Sequence, residues 1–96
     1  EYRKRSINTE GVTKSSNFDN KLDIRGYTKT DAEAYVTAFL DKAIVNNAAQ
    51  LKIIHGKGSG VLKKVVIKII KDYRDVREYW HPEDEMGGDG VTFVEM

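Results

Sequence analysis

The chain has no cysteine and a single proline in 96 residues. Without thiols it has neither disulfides nor thiolate metal sites, and a reducing compartment suits it. No apolar run approaches the roughly 20 residues of a membrane-spanning helix. No stretch reads as a signal peptide, so a cytoplasmic protein with no membrane partner is expected. The length falls short of a full dinucleotide-binding fold or a TIM barrel. It leaves room for one domain with one modest core. Net charge is scarce as well: Lys plus Arg is 16 against 15 Asp plus Glu, a balance of +1. By itself that neutrality argues against a nucleic-acid partner. What remains, 40% hydrophobic and 32% charged residues, suits a globular domain.

The charges are unevenly placed. Between positions 52 and 77 eight bases, including Lys57, Lys63, Lys64 and Lys68, face only Asp72 and Asp75, a local charge of +6. The next six charged residues, from Glu78 to Glu95, are all acidic, a charge of −6. Such a division either builds a cationic face beside an acidic one or is merely a solvated helix followed by a solvated loop.

Residues 1–20 are polar, with Ile7, Val12 and Phe18 isolated, and read as a flexible linker. Residues 21–96 read as the domain. Leu22 and Ile24 alternate with Asp23 and Arg25 up to Gly26, the pattern of a short strand. Thr30 and Glu33 form a T-x-x-E capping box for a helix whose apolar face is Ala32, Val36, Phe39, Leu40 and Ala43. Asn46 and Asn47 suit its end. Leu51–Ile54 is a second strand, and Val61, Leu62, Val65, Val66, Ile69, Ile70 and Tyr73 mark a second helix. Val76–Trp80 is a third strand, 81–90 a loop with Pro82 and three glycines, and Val91–Glu95 a last strand. The order β-α-β-α-β-β predicts an α/β two-layer sandwich, a four-stranded mixed sheet with both helices on one face.

The segment His55-Gly56-Lys57-Gly58-Ser59-Gly60 joins a strand to a helix. Glycines let a backbone approach a ligand closely, and the free N–H groups at a helix start favour an anion. The segment matches neither a Walker A loop nor G-x-G-x-x-G, so a nucleotide cofactor is not expected, while a backbone phosphate of nucleic acid is reasonable. A tight turn without a ligand is the alternative. His55 could carry a proton or hold a phosphate, or simply bond a local carbonyl. Asp23 and Arg25 share one face of their strand. They could be a plain ion pair; equally, Asp23 could bind a metal or activate water while Arg25 holds a phosphate. If the first two strands are parallel neighbours, all these residues meet at the carboxyl ends of the strands, where open α/β sheets bind ligands. Glu83-Asp84-Glu85 could gather a hard cation or be only solvated. Tyr79, Trp80 and His81 could stack on bases or belong to the core.

Three stretches together carry a resemblance: Leu22-Asp23-Ile24-Arg25-Gly26, then His55 to Gly60, then Gly87-Gly88-Asp89-Gly90-Val91-Thr92-Phe93-Val94-Glu95. Over about residues 21–96 they resemble the small MutS-related (Smr) domain family. The form is like the copy at the C-terminus of bacterial type-two MutS proteins, with residues 1–20 joining it to a larger body. The resemblance implies a fold like the C-terminal domain of translation initiation factor three. It also implies a nicking endonuclease with little sequence preference, aided by a weakly bound divalent metal, Mg²⁺ or Mn²⁺. The parent proteins suppress homologous recombination and rescue collided ribosomes, so DNA, and also RNA or the ribosome, are the implied partners, with no nucleotide bound in this segment. Asp23, Arg25 and His55 are the implied catalytic residues, with Asp23 as the metal ligand. Gly56, Lys57, Gly58, Ser59, Gly60, Lys63 and Lys64 are the implied nucleic-acid contacts, and Gly88 and Gly90 shape a turn. A non-catalytic DNA-, RNA- or ribosome-binding module is the competing expectation.

Overall fold

A computed structural model describes residues 18–96. The elements are β1 (Lys21–Asp23), α1 (Lys29–Val45), β2 (Gln50–Ile54), α2 (Val61–Lys71), β3 (Glu78–Trp80) and β4 (Val91–Glu95). Two single 3₁₀ turns, Asp84–Met86 and Gly88–Gly90, lie between β3 and β4. The sheet order is β1-β2-β4-β3. β1 runs parallel to β2, and β4 runs antiparallel to both of its neighbours. β3 is therefore parallel to β2, and both helical crossovers step the same way across the sheet. Right-handed crossovers then put both helices on one face, where α1 and α2 pack together. This is the expected two-layer α/β sandwich.

The core lies between the helices and that face. Ile24, Val36, Leu40, Leu51, Ile53, Val66, Ile70 and Val94 are all fully or almost fully buried. Each such side chain contributes about 1.5–3 kcal/mol of transfer free energy. The apolar period of α1 is buried as its spacing predicts, Ala32, Val36, Phe39, Leu40 and Ala43.

Local boundaries differ from the pattern reading. α1 is capped by Thr28, whose hydroxyl accepts from the Asp31 backbone N–H at 3.1 Å. Thr30 and Glu33 lie inside the helix instead of forming its box. Two candidate caps stood two residues apart, and the earlier one adds half a turn to the helix. α2 ends at Lys71, so Tyr73 lies past the helix; it is still buried, and its hydroxyl donates to Asp41 Oδ1 at 2.7 Å. Val76 sits in the turn before β3 and reaches the core from there. The expected linker falls mainly on 1–17, outside the described residues. Phe18 stacks on Phe39 with centroids 5.8 Å apart, and Asn20 O accepts from Lys52 N at 2.9 Å. Among the described residues no helix is long and apolar enough to cross a membrane.

Candidate active site

The parallel pairing of β1 with β2 brings their carboxyl ends together: Asp23 pairs with Ile54, and Ile24 N donates to Ile54 O at 2.9 Å. Beyond those ends, the chain after β1 and the chain after β2 form the two walls of a cleft of about 480 Å³. Arg25, Tyr27 and Lys29 line one wall; His55 and the Gly56–Gly60 loop line the other. Gly60 opens α2 with φ +84°, a left-handed conformation that suits glycine, and α2 has no side-chain N-cap. The Val61 N–H donates to Ser59 Oγ at 3.4 Å, and the other N–H groups at the start of the first turn point the positive end of the helix at the cleft, where they suit an anion. At Gly56 a Cβ would meet the Arg25 Cγ at 3.3 Å, so the missing side chain lets the arginine stem lie over the loop.

Asp23 and Arg25 form a close pair. Arg25 Nη2 donates to Asp23 Oδ2 at 2.6 Å, Arg25 Nε to Oδ1 at 3.0 Å, and the Arg25 backbone N–H to Oδ1 at 3.1 Å. These bonds hold the Asp23 carboxyl at a pKa of about 2. Asp23 is thus a fixed anion, and Arg25 a cation with guanidinium donors to spare. Both side chains remain well exposed.

His55 is 4% exposed. Its Nδ1 lies 3.1 Å from Gly56 O and its Nε2 2.8 Å from Thr92 Oγ1. A carbonyl only accepts, so Nδ1 carries the proton and Nε2 accepts from the Thr92 hydroxyl. Thr92 Oγ1 in turn lies 3.3 Å from His81 Nδ1, which donates to Val91 O at 3.0 Å. Burial pushes the His55 pKa below the ordinary histidine value, so the ring is neutral near pH 7. The chain His81–Thr92–His55–Gly56 ties the segment after β3 to the start of β4 and to the loop after β2.

The loop 87–90 is the buttress. Gly90 O accepts from both His55 N (3.0 Å) and Gly56 N (2.9 Å). A Cβ on Gly90 would stand 3.3 Å from the Gly56 carbonyl carbon. Lys63 Nζ pairs with Asp89 Oδ1 at 3.2 Å, and the Lys57 stem lies against Gly90.

Of the residues expected at the site, Arg25, His55, Gly56, Gly58, Ser59 and Gly60 line the cleft. Asp23 reaches it only through Arg25. Lys57 and Lys63 turn toward the 87–90 loop, and Lys64 is not among the lining residues. The sequence reading missed Tyr27 and Lys29, although their place just after β1 was the signal. It also missed Thr92, whose approach depends on strand order. Among the described residues no group of three or more His, Asp or Glu converges on a metal-sized space, Glu83-Asp84-Glu85 included. Both oxygens of Asp23, the carboxylate proposed as a metal ligand, are engaged by Arg25, so a divalent ion would be held there only weakly.

The Smr domain family model matches residues 22–96. The chain belongs to the Smr domain family. Among curated relatives of the domain, the Endonuclease MutS2 of Carboxydothermus hydrogenoformans is 39% identical over 83 residues, which is 86% of this chain and 11% of that protein. The Endonuclease MutS2 of Staphylococcus saprophyticus is 42% identical over 76 residues, 79% of this chain and 10% of that protein. The Smr domain thus spans about a tenth of the length of these relatives. Among solved structures, the Smr domain of Thermus thermophilus MutS2 superposes with a TM-score of 0.75 at 28% identity, covering 80% of this chain and 96% of that one. YdaL, a stand-alone small MutS-related protein from Escherichia coli, superposes with a TM-score of 0.76 at 18% identity, over 99% of this chain and 80% of that one. That second likeness concerns the fold.

Proposed function

We propose that this Smr domain is a nicking endonuclease module of a MutS2-type protein, acting on the nucleic-acid backbone with little sequence preference. The observation that carries the reading is the cleft itself: Arg25, Lys29, His55 and the glycine-rich start of α2 face one space at the carboxyl ends of parallel strands. Its charged donors, Arg25 and Lys29, suit a phosphodiester. Arg25, oriented by Asp23, holds the scissile phosphate, and the loop amides hold a neighbouring oxygen. His55 is already neutral, the form a base requires. For it to act, the attacking water must replace Thr92 at Nε2. Water oxygen then bonds phosphorus, its proton passes to Nε2, the P–O ester bond breaks, and the leaving oxygen takes a proton from solvent. A Mg²⁺ or Mn²⁺ ion shared by Asp23 and the substrate phosphate would neutralise charge on the phosphoryl oxygens. The setting in suppression of recombination rests on the resemblance and belongs to the longer protein.

The test is conversion of supercoiled plasmid to nicked circles with Mg²⁺, with Mn²⁺ and with chelator. Arg25→Ala is expected to lose roughly 100-fold or more. Equal nicking by the parent, Asp23→Ala and His55→Ala would remove the assignment. A second reading, a non-catalytic module that binds DNA, RNA or a ribosome, is favoured by one observation: both ring nitrogens of His55 already have partners. It predicts salt-sensitive binding weakened by Lys29→Ala, with no cleavage under any metal.

A further inference from the structure

The helices cover one face of the sheet, which leaves the side chains of the other face to be explained. Alternation along the strands places Lys21, Lys52, Phe93 and Trp80 on this open face, and the pairing aligns them. Lys21 is opposite Lys52, Lys52 opposite Phe93, and Phe93 opposite Trp80. They form one row across all four strands, two cations followed by two aromatic rings. The Phe93 and Trp80 rings stack at 5.7 Å with 22° between planes, and Lys52 Nζ lies 6.0 Å from the Phe93 centroid. Phe93, Trp80 and Lys52 are half-buried and Lys21 is exposed. Asp19, Asn20 and Gln50 join Lys21, Lys52 and Phe93 around a groove of about 310 Å³ at this edge, where the Asp19 carboxylate accepts from the Lys21 backbone N–H at 3.0 Å.

The neighbouring rows give the surface a direction. On one side stand Gln50, Glu95 and Glu78, in mutual register. On the other stand Asp23, Ile54 and Val91, also in register. Asp23 carries Arg25, which lines the cleft. A polyanion lying on Lys21 and Lys52 is repelled by the Glu row, and the cation that stands at the cleft, Arg25, lies past the end of β1, about 13 Å from Lys21 along the extended chain.

We propose that this row is a binding platform for single-stranded nucleic acid, feeding the unpaired part of a substrate to the cleft. Lys21 and Lys52 take phosphates, and Phe93 and Trp80 take bases by stacking. Only unpaired bases present a free ring face, and stacking on sheet aromatics tolerates any sequence. The platform rests on the nucleic-acid reading above, but neither its residues nor its ligand form is part of the cleft.

Trp80 is the only tryptophan of the chain, so its fluorescence reports on the row directly. The experiment titrates the whole chain with a short oligo-dT strand and with a blunt duplex, following Trp80 emission and backbone amide shifts. The single strand is expected to quench Trp80 and the duplex to do so far less. Phe93→Thr should weaken single-strand affinity by at least about fivefold, with nicking of relaxed plasmid unchanged. Lys52→Ala, which leaves the aromatic pair in place, should lower the salt slope by about 0.7. Shifts at Gly56–Gly60 with none at Lys21, Lys52, Phe93 and Trp80 overturn the platform and leave the nuclease standing. Shifts along the row without cleavage keep the platform and remove the nuclease. Overhauser contacts from residues 1–17 to the Trp80 indole in the free chain would make the protein's own segment the occupant. Concentration-dependent shifts of the row without oligonucleotide would make it a second copy. Either result overturns the proposal.

Discussion

The two glycine-rich loops look alike as sequence and are opposites in the structure. In the 56–60 loop a Cβ at Gly58 or Gly60 would meet nothing within 4 Å. In the 87–90 loop a Cβ at Gly87 would collide with the Val91 side chain, one at Gly88 would stand 2.6 Å from Asp84 Oδ1, and one at Gly90 would press on the Gly56 backbone. At Gly58 and Gly60 of the first loop the space outside the backbone is open, and only at Gly56 is it taken, by the Arg25 stem. The second loop has glycines because the space is already occupied. One loop is open to solvent at two of its three glycines, and the other is the support that holds it through Gly90 O. Their charges follow the same division: Asp89 of the support pairs with Lys63 near the start of α2. The support therefore neutralises part of the +6 stretch, while Arg25 and Lys29 supply cations at the cleft.

The contrast can be broken by mutation, and the largest effect belongs to the support. Gly87→Ala combines a φ of +115° with a collision against Val91, a nearly buried and stiff β-branched residue. We expect a loss of about 2–4 kcal/mol in urea unfolding. Next is Thr92→Val, which removes the hydroxyl bound to His55 Nε2 and leaves a buried acceptor without a partner. We expect about 1–3 kcal/mol, and calorimetry of the variant at pH 7.5 reads it. Smallest is Gly60→Ala, where only the left-handed backbone resists a side chain. We expect about 1 kcal/mol, with weakened phosphate binding as the more visible result. Gly60→Ala costing as much as Gly87→Ala would mean that the 56–60 loop is packed rather than open.

Acid sharpens the same division. Burial lowers the His55 pKa, so the unfolded chain takes up a proton that the folded chain resists. Stability is full above about pH 6.5 and declines as pH falls below it, by no more than about 1.4 kcal/mol per pH unit for this group. His81, Lys63 and Asp89 are the charged or titratable groups around the ring. Two carboxylates, Asp89 beside Lys63 and Asp23 beside Arg25, are also held below the usual range; for Asp23, at about 2, the contribution is lost only as pH falls from about 4 toward 2. Because that pair is exposed, the second loss is small. A chain equally stable at pH 7.5 and 5.5 would show that His55 is not held neutral by the support.

How much of this was legible beforehand follows from which interactions are local. The apolar steps of α1 and the 51–54 run needed only neighbouring residues, and they fell where the pattern put them. The helix cap did not, because Thr28 and Thr30 offer the same chemistry and only the packing of the first turn chooses between them. At the site, Arg25, His55 and the 56–60 loop were readable, since each follows a strand that ends there. Tyr27 and Lys29 were readable in principle by the same rule. Thr92 and His81 were not, because their distance from His55 in sequence is bridged only by strand order.

The sequence by itself determined the α/β alternation, the apolar faces and the three motifs, since periodicity and glycine chemistry act over a few residues. It also divided the near-zero net charge into a basic stretch and an acidic one. Only the tertiary structure decided what that division does. Because β4 inserts between β2 and β3, the acidic segment comes back to brace the glycine loop. The same insertion aligns Lys21, Lys52, Phe93 and Trp80 in one row. The alternating apolar pattern fixes which face of each strand is buried, and only the assembled sheet decides which distant strands lie side by side.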